Sequence, residues 1–365
     1  MKNVFGNSIT VTLFGESHGE QIGAVIDGMA PGVEVDMKFI LKQLELRKPH
    51  GKISTKRVES DEPHIVSGVF EGKTTGTPIC ILFENNNTKS KDYSKTKNLM
   101  RPGHADYTAI QKYHGFADYR GGGHFSGRIT TPVVAVGAIM IKALQKKGIL
   151  IGSHIQKCGP VGDRPFKNYE EDFAKVNDSI FPVLDDDAAE KMRTYMEQAA
   201  EEGDSVGGVL ETIVTGMPAG VGEPWFDSVE SILSHAMFSI PAVKGVEFGE
   251  GFAFADLRGS EANDAFQMQD GKVVTKTNHN GGINGGITNG MPLHFKTVIK
   301  PTPSIYKKQN TVDMELMQDT EMQIEGRHDP AIIHRARVVV DSMTAIVLAD
   351  LLTVRYGTDW LAQED

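Results

Sequence analysis

The sequence predicts a fold of mixed helices and strands, of the α/β or α+β class, and three observations carry that reading. Strand-like runs of period two and helical runs follow one another along the whole chain. Apolar residues make up 39% of the chain against 24% charged, which supplies a substantial core. The length of 365 residues suggests about two domains, which one large α/β or α+β domain also satisfies, and neither a heptad repeat nor an obvious linker divides the chain.

The elements follow in order. The run SITVTLF (8–14) alternates as a strand and ends in the turn Gly15-Glu16-Ser17-His18-Gly19, after which 20–26 is again strand-like. Asp36 caps a helix with Phe39, Ile40 and Leu44 on its apolar face, ending near Arg47-Lys48-Pro49. Strands at 66–70 and 79–83 flank the turn-rich GKTTGTP, and the polar segment 84–98 is a surface loop. Helices are expected at 105–119 and 130–147, the second stopped by Gly148. Then come a strand at 149–155, an acidic-capped helix at 185–202, a strand at 209–214, and a helix at 227–238 capped by Asp227. The glycine- and asparagine-rich stretch 257–290 reads as loops, 291–299 as a strand, and 330–356 as a helix or helix pair. A faint echo links TTGTPI (74–79) and RPGHAD (101–106) with ITNGMPL (287–293) and EGRHDP (325–330), which predicts a pseudo-symmetric duplication.

Composition narrows the function. A net charge of −10 argues against a general nucleic-acid binder, which needs surplus Lys and Arg to displace counterions. Cys80 and Cys158 are the only cysteines, too few for a disulfide framework or a zinc knuckle, and no metal site is expected. The N-terminus carries no apolar signal segment. The longest apolar run, 133–141, is broken by Gly137 and falls short of a membrane span. A soluble, cytoplasmic protein is the expectation.

Glycine is abundant, 39 residues, and clusters in GGGHFSGR (121–128), GDSVGG (203–208) and GGINGGITNG (281–290). Such clusters serve either as tight turns or as places where backbone amides approach an anion. Residues 101–128 gather Arg101, Lys112, Arg120 and Arg128 with His104, His114 and His124, against only Asp106 and Asp118. Cations interleaved with glycine suit phosphate or carboxylate oxygens, although a solvated basic face has the same charge. Arg47 opens a short basic run, and Lys300-Pro301-Thr302-Pro303-Ser304 sets an ammonium and two hydroxyls on a stiff backbone. Asp329, just before the last helix, reads either as its cap or as a catalytic carboxylate. His18 and His104 lie beside residues too small to bury an imidazole, and histidine is the natural proton donor near neutrality. Ser17 falls in a G-x-S-x-G pattern, but a strand-like run follows where a nucleophile elbow requires a helix. P-loop, dinucleotide, H-E-x-x-H and C-x-x-C patterns are all missing from the sequence.

Taken together, GESHG (15–19), SGVFEGKTTGTPI (67–79), RPGHADYTAIQKYHGFADYRGGGHFSGR (101–128), GDSVGG (203–208), SIPAVKGVEFGEGF (239–252), GGINGGITNG (281–290), KPTPSI (300–305) and GRHDP (326–330) resemble one family, the chorismate synthases. The resemblance implies one α+β domain over 1–365, a β-α-β sandwich with internal pseudo-symmetry, usually in a homotetramer. It also implies an anti-1,4-elimination of phosphate from 5-enolpyruvylshikimate 3-phosphate that needs reduced FMN without net redox change. An external flavin reductase, with NADPH as the source of electrons, is the implied partner. A substrate with two carboxylates and a phosphate needs several fixed cations, in keeping with the basic segments above.

By resemblance, Arg47, Arg101, Gly127, Arg128 and Arg327 hold the substrate, and Arg47 also meets NADPH. His18 protonates the flavin or keeps it protonated, His104 protonates the departing phosphate, Asp329 works with flavin N5 in removing the C6 proton, and Ser17 and Ser126 relay protons. FMN falls to His124, Phe125, Ser126, Pro241, Ala242, Gly285, Lys300, Pro301, Thr302, Pro303, Ser304 and Arg327. The chain departs from the usual family pattern at His124, Gly127 and Ile129, where GGGR-x-SARET is common, and at Pro241, where Asn is common. Lys52 matches a second family arginine only approximately. His124 thus replaces a permanent cation with a titrating one. Two readings of other classes compete. A flavin reductase would consume NAD(P)H without releasing phosphate, and in a non-catalytic anion-binding protein His104→Ala would alter stability alone.

Overall fold

The computed structural model describes residues 2–51, 53–54, 60–86, 97–324 and 329–363. The chain opens with β1 (Val4–Phe5), β2 (Thr10–Gly15) and β3 (Gln21–Asp27), followed by helix α1 (Met37–Arg47). Asp36 caps α1 by accepting from the Phe39 amide at 3.0 Å, as the sequence indicates. Strand β4 (His64–Ser67), the small pair β5 (Val69–Phe70) and β6 (Lys73–Thr74), and β7 (Ile79–Glu84) follow. Helix α2 (Asp106–Tyr113) stops earlier than expected because His114 and Gly115 take left-handed conformations. A glycine-rich turn then leads into the core helix α3 (Thr130–Lys146).

The second half begins with β8 (Leu150–Cys158) and β9 (Val161–Gly162), then α4 (Tyr169–Asn177), α5 (Asp186–Glu201) and β10 (Gly208–Thr215). Helix α6 (Val229–Ser239) is capped by Ser228, which accepts from the Ser231 amide, rather than by Asp227. Strand β11 (Val243–Phe248) follows, then the short α7 (Gly259–Ala262). The region expected to be loops also forms a hairpin of β12 (Phe266–Gln269) and β13 (Lys272–Thr275) and a tight pair of β14 (Ile283–Asn284) and β15 (Ile287–Thr288). Strand β16 (Leu293–Ile299), the hairpin β17 (Gln309–Asp313) and β18 (Gln318–Met322), and a single unbroken α8 (Ile333–Tyr356) complete the chain.

Among the described residues, two antiparallel five-stranded sheets form, in the orders β1-β2-β3-β7-β4 and β11-β16-β10-β8-β9. α3 packs on β3 and β7, α8 packs on β8 and β10, and the two helices pack on each other, giving a sheet–helix–sheet sandwich. At their crossing a Cβ on Gly137 would stand 2.2 Å from Ser342 Cβ, so only glycine permits this approach. The stretch Gly127–Lys146 is apolar enough to cross a bilayer on composition alone, but it is core, mostly buried in the protein. Buried Asp350 of α8 accepts from the amides of Asn7, Ser8 and Ile9 at 2.7–2.9 Å, tying the second half to the start of β2.

The pseudo-symmetry is visible in the topology. β2, β3, α1, β4, β7 and α3 recur as β8, β10, α6, β11, β16 and α8, with matching neighbours in each sheet. TTGTPI and ITNGMPL lead into the equivalent strands β7 and β16. The rest of the echo does not correspond, because 101–106 leads into α2 whereas 329–330 leads towards α8.

Candidate active site

The turn between β2 and β3 carries Ser17 and His18, both buried. The Ser17 amide donates to the Gly123 carbonyl at 3.1 Å, and its Oγ donates to the carbonyls of Arg120 and Gly121, each at 3.2 Å. With its single proton directed there, Oγ accepts from His18 Nδ1 at 3.1 Å. Gly121, Gly122 and Gly123 all have positive φ. A Cβ on Gly121 would fall 2.2 Å from the His18 ring, and one on Gly122 would fall 3.4 Å from His104. The absent Cβ at Gly121 thus lets His18 close on this backbone, while at Gly122 the positive φ, more than the 3.4 Å contact with His104, is what favours glycine.

His104 is held from beneath. Its Nδ1 donates to Asp106 Oδ1 at 2.8 Å, leaving the Nε2–Cε1 edge towards Gly122. Asp106 also accepts from Arg101 Nε at 2.7 Å and Nη2 at 2.6 Å. Burial alone would raise the Asp106 carboxyl's pKa, but the bonds and charges of Arg101 and His104 outweigh it and hold the group well below the usual carboxylate range. Lys300 Nζ donates to the Gly103 carbonyl at 2.5 Å, and a Cβ on Gly103 would meet Pro303 at 3.4 Å. The segment Lys300–Ser304 thus forms a wall against the His104 turn. Pro301 packs against Gly207, Thr302 Oγ1 donates to the Asp329 carbonyl at 2.7 Å, and Ser205 Oγ donates to the Thr302 carbonyl at 2.7 Å.

The second cationic cluster lies inside the protein. Arg47 and Arg128 are 5% and 7% exposed, and Asp61, 3% exposed, pairs with both. Arg47 donates to Thr130 Oγ1 at 2.9 Å and to the Gly127 carbonyl at 2.8 Å. Gly127 meets this arginine through its carbonyl oxygen. Arg128 donates to Asn85 Oδ1 and the Glu84 carbonyl, both at 3.0 Å. Asn85 Nδ2 in turn donates to the carbonyls of Glu16 and Gly19, so it joins Arg128 to the His18 turn. Burial pushes the Arg47 guanidinium down to about 9, with Asp61 opposing and Arg335 and Arg128 adding to the shift.

Asp329 does not cap α8, whose N-cap is Ile332; its carboxylate accepts from Arg335 Nη1 at 3.1 Å. His124 Nδ1 donates to the Gly15 carbonyl at 2.8 Å, Phe125 is half-exposed edge-on to Tyr113, and Ser126 Oγ accepts from the Arg128 amide at 3.3 Å. Ala242, left-handed at φ 74°, accepts from the Lys300 amide, which seats Pro241 and Ala242 beside the 300–304 wall. Gly285 turns the β14–β15 hairpin. Its neighbour Gly286 bonds to Val229 at the start of α6, the opposite end of that helix from Pro241. Arg327 and Lys52 lie outside the described residues, as do 87–96 of the expected surface loop. Asp61, Asn85, Thr130 and Arg335 were not singled out from sequence. Asp61 lies beyond the basic run 47–52, between Ser60 and Glu62, and nothing in the sequence tied it to Arg47.

A sequence profile of the chorismate synthase family matches residues 9–353. The chain is 50% identical over 351 residues to the chorismate synthase of Thermococcus gammatolerans, covering 96% of this chain and 97% of that one. It is 48% identical to the chorismate synthase of Lachnospira eligens, with 96% and 94% covered. A crystal structure titled chorismate synthase matches at a TM-score of 0.77 and 28% identity, over 98% of this chain and 95% of the other. With the glycine-ordered histidine pair, the buried arginines and the repeated sandwich in place, the chain belongs to the chorismate synthase family.

Proposed function

We propose that this lyase forms chorismate by 1,4-elimination of phosphate from 5-enolpyruvylshikimate 3-phosphate, with reduced FMN bound beside the substrate. The observation that carries the reading is the convergence of His18 and His104 on Gly121–Gly122, next to buried Arg128 and Arg47. Proton donors and fixed cations set together suit a dicarboxylate that sheds phosphate.

FMN fits the residues present. The glycine-permitted approach of Gly103 to Pro303, the strained turn at Ala242 and the ammonium and hydroxyls of Lys300–Ser304 make a cradle for an anionic phosphate. His124, with Nδ1 anchored on Gly15, offers its other nitrogen, and Phe125 presents an aromatic face. When bound, reduced FMN supplies an electron transiently, with no net redox change. The chain's own share is distinct. Arg101, Arg128 and Arg47 bind and orient the substrate oxyanions; His104 delivers a proton from Nε2 to the departing phosphate; His18 holds a proton at the flavin side, with Ser17 and Ser126 as relays. Asp329 receives the proton lost from C6, its carboxylate fixed by Arg335. Arg47 is too buried to suit a dinucleotide, which favours its substrate role over contact with NADPH. A homotetramer supplied with flavin by a separate reductase completes the proposal, and the exposure of Trp225, Phe226 and Phe252 (84%, 88% and 86%) favours self-association.

The test is anaerobic phosphate release with chemically reduced FMN and again with oxidised FMN. Release with reduced flavin only, in step with chorismate absorbance, is the expected result. Release with neither would remove the reading, and NAD(P)H consumption without release would replace it with a reductase.

A further inference from the structure

We propose that Asp61 is a displaceable occupant of the anion site, its carboxylate holding Arg47 and Arg128 until an oxyanion of the substrate takes its place. This deepens the function proposed above and rests on its assignment of those two arginines to the substrate. Asp61 bridges the pair with one oxygen each, Oδ2 to Arg47 Nη1 at 3.4 Å and Oδ1 to Arg128 Nη1. A carboxylate or phosphate from outside would present the same two-oxygen face to the same two forks.

The other partners of these arginines are of a different kind. Arg47 spends Nε and Nη2 on Thr130 and the Gly127 carbonyl, and Arg128 spends Nε and Nη2 on Asn85 and the Glu84 carbonyl. Those acceptors are neutral and set where the forks sit, while Asp61 supplies the opposing charge. All three charged side chains are under 8% exposed. A substrate oxyanion entering beside Asp61 would meet a like charge with little water to screen it, so exchange is favoured over sharing. The nearby Asp329–Arg335 pair adds no net charge. Until substrate arrives, the carboxylate spares the protein two uncompensated buried cations and keeps their geometry ready. Asp61 is thus a positioning residue, with a cost to substrate affinity built in.

Its backbone makes a clean test possible. Asp61 sits at φ 50°, a left-handed conformation that Asn also accepts, so Asp61→Asn keeps shape and one acceptor while removing the charge. Binding of 5-enolpyruvylshikimate 3-phosphate, and separately of inorganic phosphate, would be titrated calorimetrically into the full-length chain with oxidised FMN. Wild type, Asp61→Asn and Arg128→Lys would be compared, and KM and kcat then measured with reduced FMN. The expected result for Asp61→Asn is substrate binding about tenfold tighter, KM lower by a similar factor, kcat little changed and Tm reduced. A purely structural partner would leave affinity unchanged or weaken it, and that outcome overturns the proposal. Tightening for inorganic phosphate as well identifies the phosphoryl group as the displacing anion; tightening for substrate alone identifies a carboxylate. Arg128→Lys separates the two failures, because undiminished substrate binding there removes the assignment of anions to this pair altogether. Should Asp61→Asn not fold, Asp61→Ser removes the same charge and is read the same way.

Discussion

Asp106 shows how much of the site's chemistry lies in a side chain that never meets the substrate in the proposed arrangement. It takes two bonds from the Arg101 guanidinium and a third from the Arg101 amide, and it accepts the Nδ1 proton of His104. Because its pKa lies well below the usual range, it stays ionised at any working pH. It therefore directs the proton-delivering edge of His104 and aims Arg101 together. Asp106→Asn can turn its amide nitrogen to either partner, which breaks one alignment or the other. We expect kcat to fall on the order of 10²-fold with a rise in KM and an unchanged far-UV spectrum. Unaltered kcat in a phosphate-release assay would show that His104 does not work through Nε2. His18 and His104 stood out in the sequence beside small residues, but the inference that such neighbours leave an imidazole unburied fails for His18, which is 7% exposed beneath Gly121. Asp61 and Asn85 did not stand out, since their roles arise from pairings with Arg128, 67 and 43 positions away. The ambiguity of Asp329 also needed three dimensions, where its carboxylate accepts from the Arg335 side chain and the N-cap of α8 falls at Ile332.

Elements with a strong period or an unambiguous cap were readable, including α1 behind Asp36, α5 behind Asp185, α3 up to Gly148 and strands β2, β3, β7, β8, β10 and β16, whereas β1, β9 and β11 were not read. Nor were the hairpins within 257–290: β14 and β15 are two residues each, too short to show a period, while FQMQ (266–269) does alternate and Asp270-Gly271, both at positive φ, make a two-residue hairpin turn that the glycine- and asparagine-rich surroundings masked. Packing of element on element was equally hidden. Gly137 broke an apolar run in the sequence, yet its role is the close crossing of α3 over α8 at Ser342. Gly137→Ala would place a Cβ within 2.5 Å of Ser342 Cα, and overpacking of about 1–3 kcal/mol should exceed the ~1 kcal/mol gained in helix propensity. Adding Ser342→Gly should recover part of the loss in urea unfolding, and no recovery would place the strain elsewhere. Across the second sheet, His154 bridges Asp163 at 2.8 Å and Glu211 at 2.7 Å, and Glu211 also accepts from His294 at 2.9 Å. Burial opposes charge on His154, but the two carboxylates prevail and raise its pKa. Burial likewise raises Glu211, but the two histidines prevail and lower it to about 2. The His154 contribution is thus complete below about pH 6.5 and lost as pH rises through its folded value. That of Glu211 is complete above about pH 4.5 and lost as pH falls towards about 2. Urea stability compared with Glu211→Gln should therefore differ most between about pH 4.5 and 6.5, and a constant difference across pH would rule out the linkage.

At the scale of the molecule, the repeated topology raises the question of whether the two halves fold as two domains or one. Each half closes with a long helix, and those helices bury their faces mainly in each other, so the apolar core runs continuously from the first sheet to the second. α1 of the first half also packs on α8 of the second, and Asp350 of α8 holds the amides of residues 7–9. A free first half would expose most of α3, a surface far too apolar to remain in water. We therefore expect one cooperative unit, and the C-terminal region offers a probe of the junction. Trp360 stacks on Tyr356, while Lys147, at the end of α3, lies 5.1 Å over its ring and donates to the Gln363 carbonyl. Trp225 is the other tryptophan, and Trp225→Phe keeps an aromatic on the surface proposed for self-association while leaving Trp360 as sole reporter. In that variant the urea transition by Trp360 fluorescence should coincide with the one by far-UV circular dichroism. A fluorescence change at lower urea would mean that the halves part before either unfolds, and the chain would then have to be described as two domains that share a helical interface.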